Sequence, residues 1–339
     1  MTVNQKLLIT LGPSSLKKSV VQEISDLGIY LFRINLSHTP IERLNDIINK
    51  IKSWTDVPIC LDSEGAQIRT GKVKNNCVRY SAGDNLKIHN ESVIGDNENL
   101  SFYPNNIIKQ FQIGDIINVD FDSVCLKILS IDKESCNSIV EIGGTIRSNR
   151  AADIDKDIDF NAVTNKDYAA IQLGKEQGIT NYAFSFANCI SDVKYFRKLI
   201  GSKSNLISKI ESIRGIKNLD DIIDSSNEIL IDRGDLSRQV PIEKIPFIQR
   251  KIISRAVSKN TNVFVATNLL ESMNHSILPT RAEVNDVAST MIMGANGLVL
   301  AGETAIGTNP VQCVKIIKSM INEYSKWTPK SSFDDILAN

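Results

Sequence analysis

Apolar residues along this chain recur in short runs, and between most of them lies a stretch whose apolar positions return every three to four residues. KLLIT, YLFRINL, VPICLD, NYAFSF, NLISKIE, EILIDRGD, NVFVATN and GLVLAGE read as strands, and stretches such as SLKKSVVQEISDLG and IEKIPFIQRKIISRAVSK as amphipathic helices. About eight such β/α units is the count of a TIM barrel. The alternation is interrupted once, after VPICLDSEGAQIRTG. From 69 to 155 the turn signals SAGDN, IGDNEN, QIGD and EIGG separate short alternating strands, which predicts a small all-β domain inserted after strand 3. Helical period returns at TNKDYAAIQLGKEQG. The expected organisation is an α/β chain, a TIM (β/α)8 barrel in two parts, 1–68 and 156–326, around an insertion at 69–155, with a polar tail, 327–339, ordered at most in part. TLGPSS reads as a strand–turn–helix signal with Ser14 or Ser15 as the N-cap.

Composition narrows the partners. The 339 residues carry 39 Lys plus Arg and 39 Asp plus Glu, so no net field draws the chain to nucleic acid or to an anionic membrane. The start, MTVNQKLLITLG, lacks the apolar core of a signal peptide, and no run is long enough to span a bilayer, so the cytoplasm is expected. Cys60, Cys77, Cys125, Cys136, Cys189 and Cys313 are scattered without metal-ligand spacing and are expected to serve packing.

A barrel changes the meaning of strand ends, because barrel active sites lie at the carboxyl ends of the strands. In RINLS, Arg33, Asn35 and Ser37 alternate with the apolar Ile34 and Leu36, so the pleat is expected to turn all three to one wall. Lys209 with Glu211, and Arg233 with Asp235, follow the same parity. If strands 5 and 6 are neighbours, Glu211 and Asp235 converge, and two carboxylates that close need a proton or a cation between them; hard oxygen ligands favour Mg²⁺. The alternative for Lys209 and Glu211 is a structural ion pair at the rim. Arg-Gly-Asp as an adhesion tripeptide is discounted, since it closes a buried strand, and His89 and His275 read as ordinary loop histidines.

RINLSH, CLDSEGAQIRTG, LISKIES, ILIDRGDL, VFVATNLLESM, LPTRAEVNDVA and LVLAGETAIG resemble, in order, the motif series of the pyruvate kinase family. The insertion resembles that family's β-barrel lid more weakly, through GDIINVDFD and EIGGTIRS. The domain that usually follows the barrel is expected to be missing, giving a two-domain version. The resemblance implies that Lys209 neutralises the transferring phosphoryl group, that Glu211 and Asp235 hold Mg²⁺ or Mn²⁺ against phosphoenolpyruvate, and that Arg33 clamps its phosphate. It implies further that backbone N–H groups around Arg233 and Gly234 receive the substrate carboxylate, and that Thr267 belongs to the relay protonating the enolate at C3. Asn35, Ser37, Asp62 and Ser63 match a K⁺ site, and Pro13, His38, Arg69 and Arg150 match nucleotide contacts.

The same resemblance marks departures. Glu64-Gly65-Ala66-Gln67 stands where the family has Lys-Gly-Pro-Glu, Ile306 stands for a lysine facing the nucleotide phosphates, and Arg150-Ala151 for Lys-Gly. Gln67 leaves the need for K⁺ open. The expected activity is Mg²⁺-dependent phosphoryl transfer between phosphoenolpyruvate and a nucleoside diphosphate such as ADP, giving pyruvate. The alternatives are another acceptor, a lyase-type enolate reaction, or a non-catalytic phosphoenolpyruvate sensor. Assembly is expected to reach at most a homodimer, through barrel helices near PTRAEVNDVA, without activation by a sugar bisphosphate.

Overall fold

The computed structural model describes residues 5–120, 123–154, 156 and 158–337. Met1 to Asn4 of the opening segment, Phe121 and Asp122 of GDIINVDFD, and Asp155, the expected last residue of the insertion, lie outside them.

Eight strands among the described residues run parallel: β1 (Lys6–Thr10), β2 (Leu31–Asn35), β3 (Ile59–Asp62), β4 (Asn181–Phe184), β5 (Asn205–Ile210), β6 (Glu228–Asp232), β7 (Asn262–Ala266) and β8 (Gly297–Leu300). They close in the order β1-β8-β7-β6-β5-β4-β3-β2, a TIM barrel. Parallel strands are covered on both faces, which is why they read as nearly unbroken apolar runs. Leu8, Leu31, Cys60, Ala183, Ile207, Leu230, Phe264 and Val299 pack together in the lumen. The alternate residues, among them Ile9, Phe32, Leu61, Leu206, Ile229 and Val263, join the core shared with the outer helices. Helix Ile41–Trp54 is typical: Leu44, Ile48 and Ile51 form its buried stripe.

Helix starts are set by side chains that the apolar pattern does not reveal. Thr164 with Asp167, and Thr280 with Glu283, form capping boxes at helices Asn165–Glu176 and Arg281–Ile292. The first helix, Lys18–Asp26, starts later than TLGPSS suggests; its N-cap is Lys17, with no side-chain bond, and neither Ser14 nor Ser15 caps it. Those serines hold the turn instead: Ser15 Oγ accepts the Gly12 N–H at 3.1 Å, and the Ser14 N–H donates to Ala305 O at 3.0 Å. Only glycine suits position 12, where a Cβ would lie 2.6 Å from Ala305 O.

The chain divides into two compact units, 1–65 with 162–339, and 66–161. The second is wider than the expected 69–155 because Ile68 and Ile158 pack in its core, with Phe160 against it. Its strands Ile68–Thr70, Asn85–His89, Asn99–Tyr103, Ile116–Val119, Val124–Ile131, Ser135–Ile142 and Ala151–Ile154 form a separate closed barrel. Both passages between the units are tied to one side chain of the larger unit. Asp167 accepts hydrogen bonds from the N–H groups of Glu64 (2.6 Å) and Gly65 (3.2 Å), where the chain leaves, and from Thr164 N (3.3 Å) and Oγ1 (2.9 Å), where it has returned.

In the tail, Phe333–Leu337 forms a short exposed helix, capped by reciprocal bonds between Ser332 and Asp335. Cys60, Cys125, Cys136 and Cys313 are buried, Cys189 is half-buried and Cys77 is exposed. No helix among the described residues is long and apolar enough to cross a membrane.

Candidate active site

At the carboxyl end of the barrel six of these eight lumen residues are followed two positions later by a polar one: Leu8 by Thr10, Leu31 by Arg33, Cys60 by Asp62, Ala183 by Ser185, Ile207 by Lys209 and Leu230 by Asp232. The strand pleat therefore aims six polar side chains at one space, and all six are buried. They form a single network. Lys209 Nζ lies 2.7 Å from Glu211 Oε1, 3.4 Å from Asp232 Oδ2 and 3.5 Å from Asp62 Oδ2, and donates to Ser185 Oγ at 3.1 Å. Arg33 donates from Nε to Asp62 Oδ2 at 2.7 Å and from Nη1 to Thr10 Oγ1 at 2.9 Å. Glu211 Oε2 accepts the Phe186 N–H at 2.6 Å.

Burial disfavours the charged form of Lys209, but the carboxylates of Asp62, Glu211 and Asp232 outweigh it and hold the ammonium well above its ordinary range. Lys209 is thus a fixed cation and not a proton donor at neutral pH. Glu211 goes the other way: burial, together with Asp235 and Asp232, pushes its carboxyl up to about 8 in spite of Lys209. Burial also works against charge on Asp232, yet Lys209 and Arg33 hold it below the usual carboxylate range. Among the described residues the network sets Arg33, Lys209 and Arg238, which pairs with Asp235, against Asp62, Glu211, Asp232 and Asp235, so acidic groups outnumber basic ones. Carboxylate oxygens of Glu211, Asp232 and Asp235 all lie within 4.8 Å of one another. Clustered hard oxygens with unbalanced charge fit a divalent cation such as Mg²⁺.

Thr10, Ser185 and Asp232 are absent from the residues that the sequence pointed to, and for Asp232 the cause is local. Parity was carried through Arg233 and Asp235, but β6 ends at Asp232 and Arg233–Leu236 is a helical turn. Arg233 consequently does not share a wall with Asp235. Its Nη1 donates to Asp286 Oδ2 at 2.6 Å and its Nε to Thr267 O at 3.1 Å. Asp235 Oδ1 accepts from Arg238 Nη1 at 2.8 Å. Ser37 departs from the expected wall for the same reason, since β2 ends at Asn35 and Ser37 lies in the following turn.

Thr267 follows β7 with φ of 69°, a left-handed conformation that strains a β-branched residue by roughly 1–3 kcal/mol. Arg233, bonded to its carbonyl, helps to hold it there. The Thr267 hydroxyl accepts the Gly234 N–H at 2.8 Å and lies 2.5 Å from Ala266 O and 3.3 Å from Asp232 Oδ1. A Cβ on Gly234 would sit 3.3 Å from Thr267 Cγ2 and 3.5 Å from Asp232 Oδ1, so glycine opens the backbone to these two side chains.

The residues expected to bind K⁺ are close, with Asn35 and Asp62 register partners on β2 and β3. Oxygens of Asn35, Asp62 and Ser63 are engaged within the protein. Asn35 Oδ1 accepts the Ser37 N–H at 2.9 Å, Ser63 O accepts the Ser185 hydroxyl at 2.7 Å, and Asp62 faces Arg33 and Lys209. Of the expected nucleotide contacts, Pro13 and His38 are exposed on the larger unit. The turn holding Pro13 bonds to Ala305, next to Ile306, which is 67% exposed. Glu64 lies 3.8 Å from Lys166 Nζ, so its negative charge meets a cation that the motif comparison did not single out. Arg69 and Arg150 belong to the smaller unit, Arg69 Nη1 donating to Asn149 O at 2.9 Å and Arg150 Nε lying 3.7 Å from Asp120 Oδ2.

The family model described as "Pyruvate kinase, barrel domain" matches residues 2–314. The pyruvate kinase of Thermotoga maritima is 31% identical over 330 residues, covering 95% of this chain and 71% of the relative. That of Chlamydia trachomatis serovar D is 32% identical over 339 residues, covering 96% and 69%. That of Bacillus licheniformis is 30% identical over 327 residues, covering 93% and 56%, so the chain spans little more than half the length of this relative.

Proposed function

The chain belongs to the pyruvate kinase family, and we propose that it catalyses phosphoryl transfer, dependent on a divalent cation, between phosphoenolpyruvate and a nucleoside diphosphate, giving pyruvate. The observation that carries this reading is the buried ammonium of Lys209, held charged among Asp62, Glu211 and Asp232 at the mouth of the barrel. A pre-set cation in a dry site stabilises negative charge as it develops, with no reorganisation at the moment of reaction.

Mg²⁺ or Mn²⁺ would be held by Glu211 and Asp235 and would supply charge neutralisation to substrate oxygens. Lys209 neutralises the phosphoryl group in flight, and the Arg33 guanidinium, a planar fork, suits its oxygens. The Gly234 N–H and the Thr267 hydroxyl face the substrate carboxylate and the enolate, where Thr267 passes the proton at C3. Asn35, Ser37, Asp62 and Ser63 remain the proposed K⁺ residues, and no step is routed through that ion. Pro13, His38, Arg69 and Arg150 are the proposed nucleotide contacts.

A different phosphoryl acceptor is the second reading, and Ile306 and Glu64 favour it. Each removes a charged phosphate contact, worth roughly 1.5–3 kcal/mol. Lys166 beside Glu64 opposes part of that loss. Two assays decide between them. Phosphoenolpyruvate consumption is followed against a panel of nucleoside diphosphates and sugar phosphates, with and without K⁺. Exchange of pyruvate methyl protons with solvent is followed with Mg²⁺ and phosphate but no ADP. Exchange is expected to persist while turnover with ADP is weak. Turnover with ADP at ordinary family rates overturns the weight given to Glu64 and Ile306. Neither exchange nor consumption leaves only a phosphoenolpyruvate-binding sensor.

A further inference from the structure

We infer that Asp232 is a specificity-determining residue, which holds a permanent negative charge on the groups that would receive a substrate carboxylate and so weakens binding of phosphoenolpyruvate. The inference rests on the proposed function and deepens it. Three groups in this part of the mouth can meet a carboxylate: the Gly234 N–H, the Thr267 hydroxyl and the Lys209 ammonium. Asp232 lies against the Thr267 hydroxyl and the Lys209 ammonium, and beside Gly234 on its Cα side. Its Oδ1 is 3.3 Å from Thr267 Oγ1 and 3.5 Å from the position of a Cβ on Gly234, and its Oδ2 is 3.4 Å from Lys209 Nζ. The residue is only 5% exposed, so little water screens it. Like charges that close disfavour one another in a buried site.

The local charge agrees: Asp232 adds a negative charge beside Lys209 and Thr267, where a ligand that carries both a carboxylate and a phosphate would bring more. A ligand with a phosphate and an uncharged far end escapes most of this penalty. The rival role for Asp232, a third ligand that tightens the divalent cation and with it the substrate, predicts the opposite response to its removal.

The test is calorimetric binding to the full chain in saturating Mn²⁺, comparing the parent with Asp232→Asn and Asp232→Ala, and using phosphoenolpyruvate and inorganic phosphate as the two ligands. Asparagine keeps the shape of the side chain should alanine disturb folding, which circular dichroism reports. Affinity for phosphoenolpyruvate is expected to rise roughly tenfold or more in the variants, and affinity for phosphate to rise less. In turnover, KM for phosphoenolpyruvate should fall more than kcat changes. Unchanged or weaker phosphoenolpyruvate binding in both variants, with the parent binding it, overturns the inference alone. An equal gain for phosphate overturns it too, reducing Asp232 to a general field. Binding by neither parent nor variants overturns both the inference and the proposed function.

Discussion

Glu211 and Lys209 stand 2.7 Å apart, yet the carboxyl is pushed up to about 8 because burial and two further carboxylates outweigh one ammonium. Such a site is under-neutralised until a cation arrives. Glu211→Gln and Asp235→Asn are each expected to lower Mg²⁺-dependent turnover by about two orders of magnitude or more while the fold persists; unchanged Mg²⁺ dependence in both would remove them as ligands. A pH effect follows from the same residue. In metal-free protein the native state holds the Glu211 proton more tightly than the unfolded chain does, so the Glu211 contribution to stability is largest at or below the ordinary carboxylate range and falls as pH rises toward about 8. Urea midpoints measured in chelator across that window should decline, and adding Mg²⁺ should lessen the decline. A flat profile without metal contradicts the assignment.

Helix Arg281–Ile292 begins on a knot of bonds: Glu283 accepts from Ser272 N and Oγ and from Thr280 N and Oγ1. Burial alone would raise the Glu283 carboxyl, but these bonds win and keep it low, so their stabilisation is present at neutral pH and lost as pH falls below the usual carboxylate range. Glu283→Ala should cost about 1–2 kcal/mol in urea unfolding at neutral pH. Elements of this kind mark the limit of what the chain displays. The strands and the place of the insertion are legible, since parallel strands and a two-residue alternation leave different apolar rhythms. Lys209 and Glu211 are legible too, at the end of a run. Asp232 lay within reach, for counting by two from Leu230 arrives at it, but counting by two beyond it crosses into a helical turn. The bonding of Arg233 to Asp286 and the left-handed Thr267 carry no local signature, because both depend on distant parts of the chain meeting.

For the molecule as a whole, Phe247, 72% exposed on helix Ile245–Ser258, and Ile292, 52% exposed on helix Arg281–Ile292, are large apolar side chains facing solvent on adjacent outer segments. A homodimer through these helices is expected from sedimentation, and Phe247→Asp with Ile292→Asp should yield monomer; a parent that sediments as a monomer at high concentration ends that expectation.

The grip of Asp167 on both chain passages has a practical meaning for engineering. Glu64 and Gly65 on one side and Thr164 on the other are within reach of a single carboxylate, so the two cut ends left by excising 66–161 would lie almost together and a few residues would rejoin them at little entropic expense. The smaller unit is in this sense a cassette. A shortened gene fusing 1–65 through a glycine-serine bridge to 162–339 should yield a soluble barrel with one cooperative melt, and the same seam should accept foreign domains whose own ends are close. Loss of cooperative unfolding in the shortened chain, restored when the excised segment is returned, would show that the barrel cannot close without its passenger.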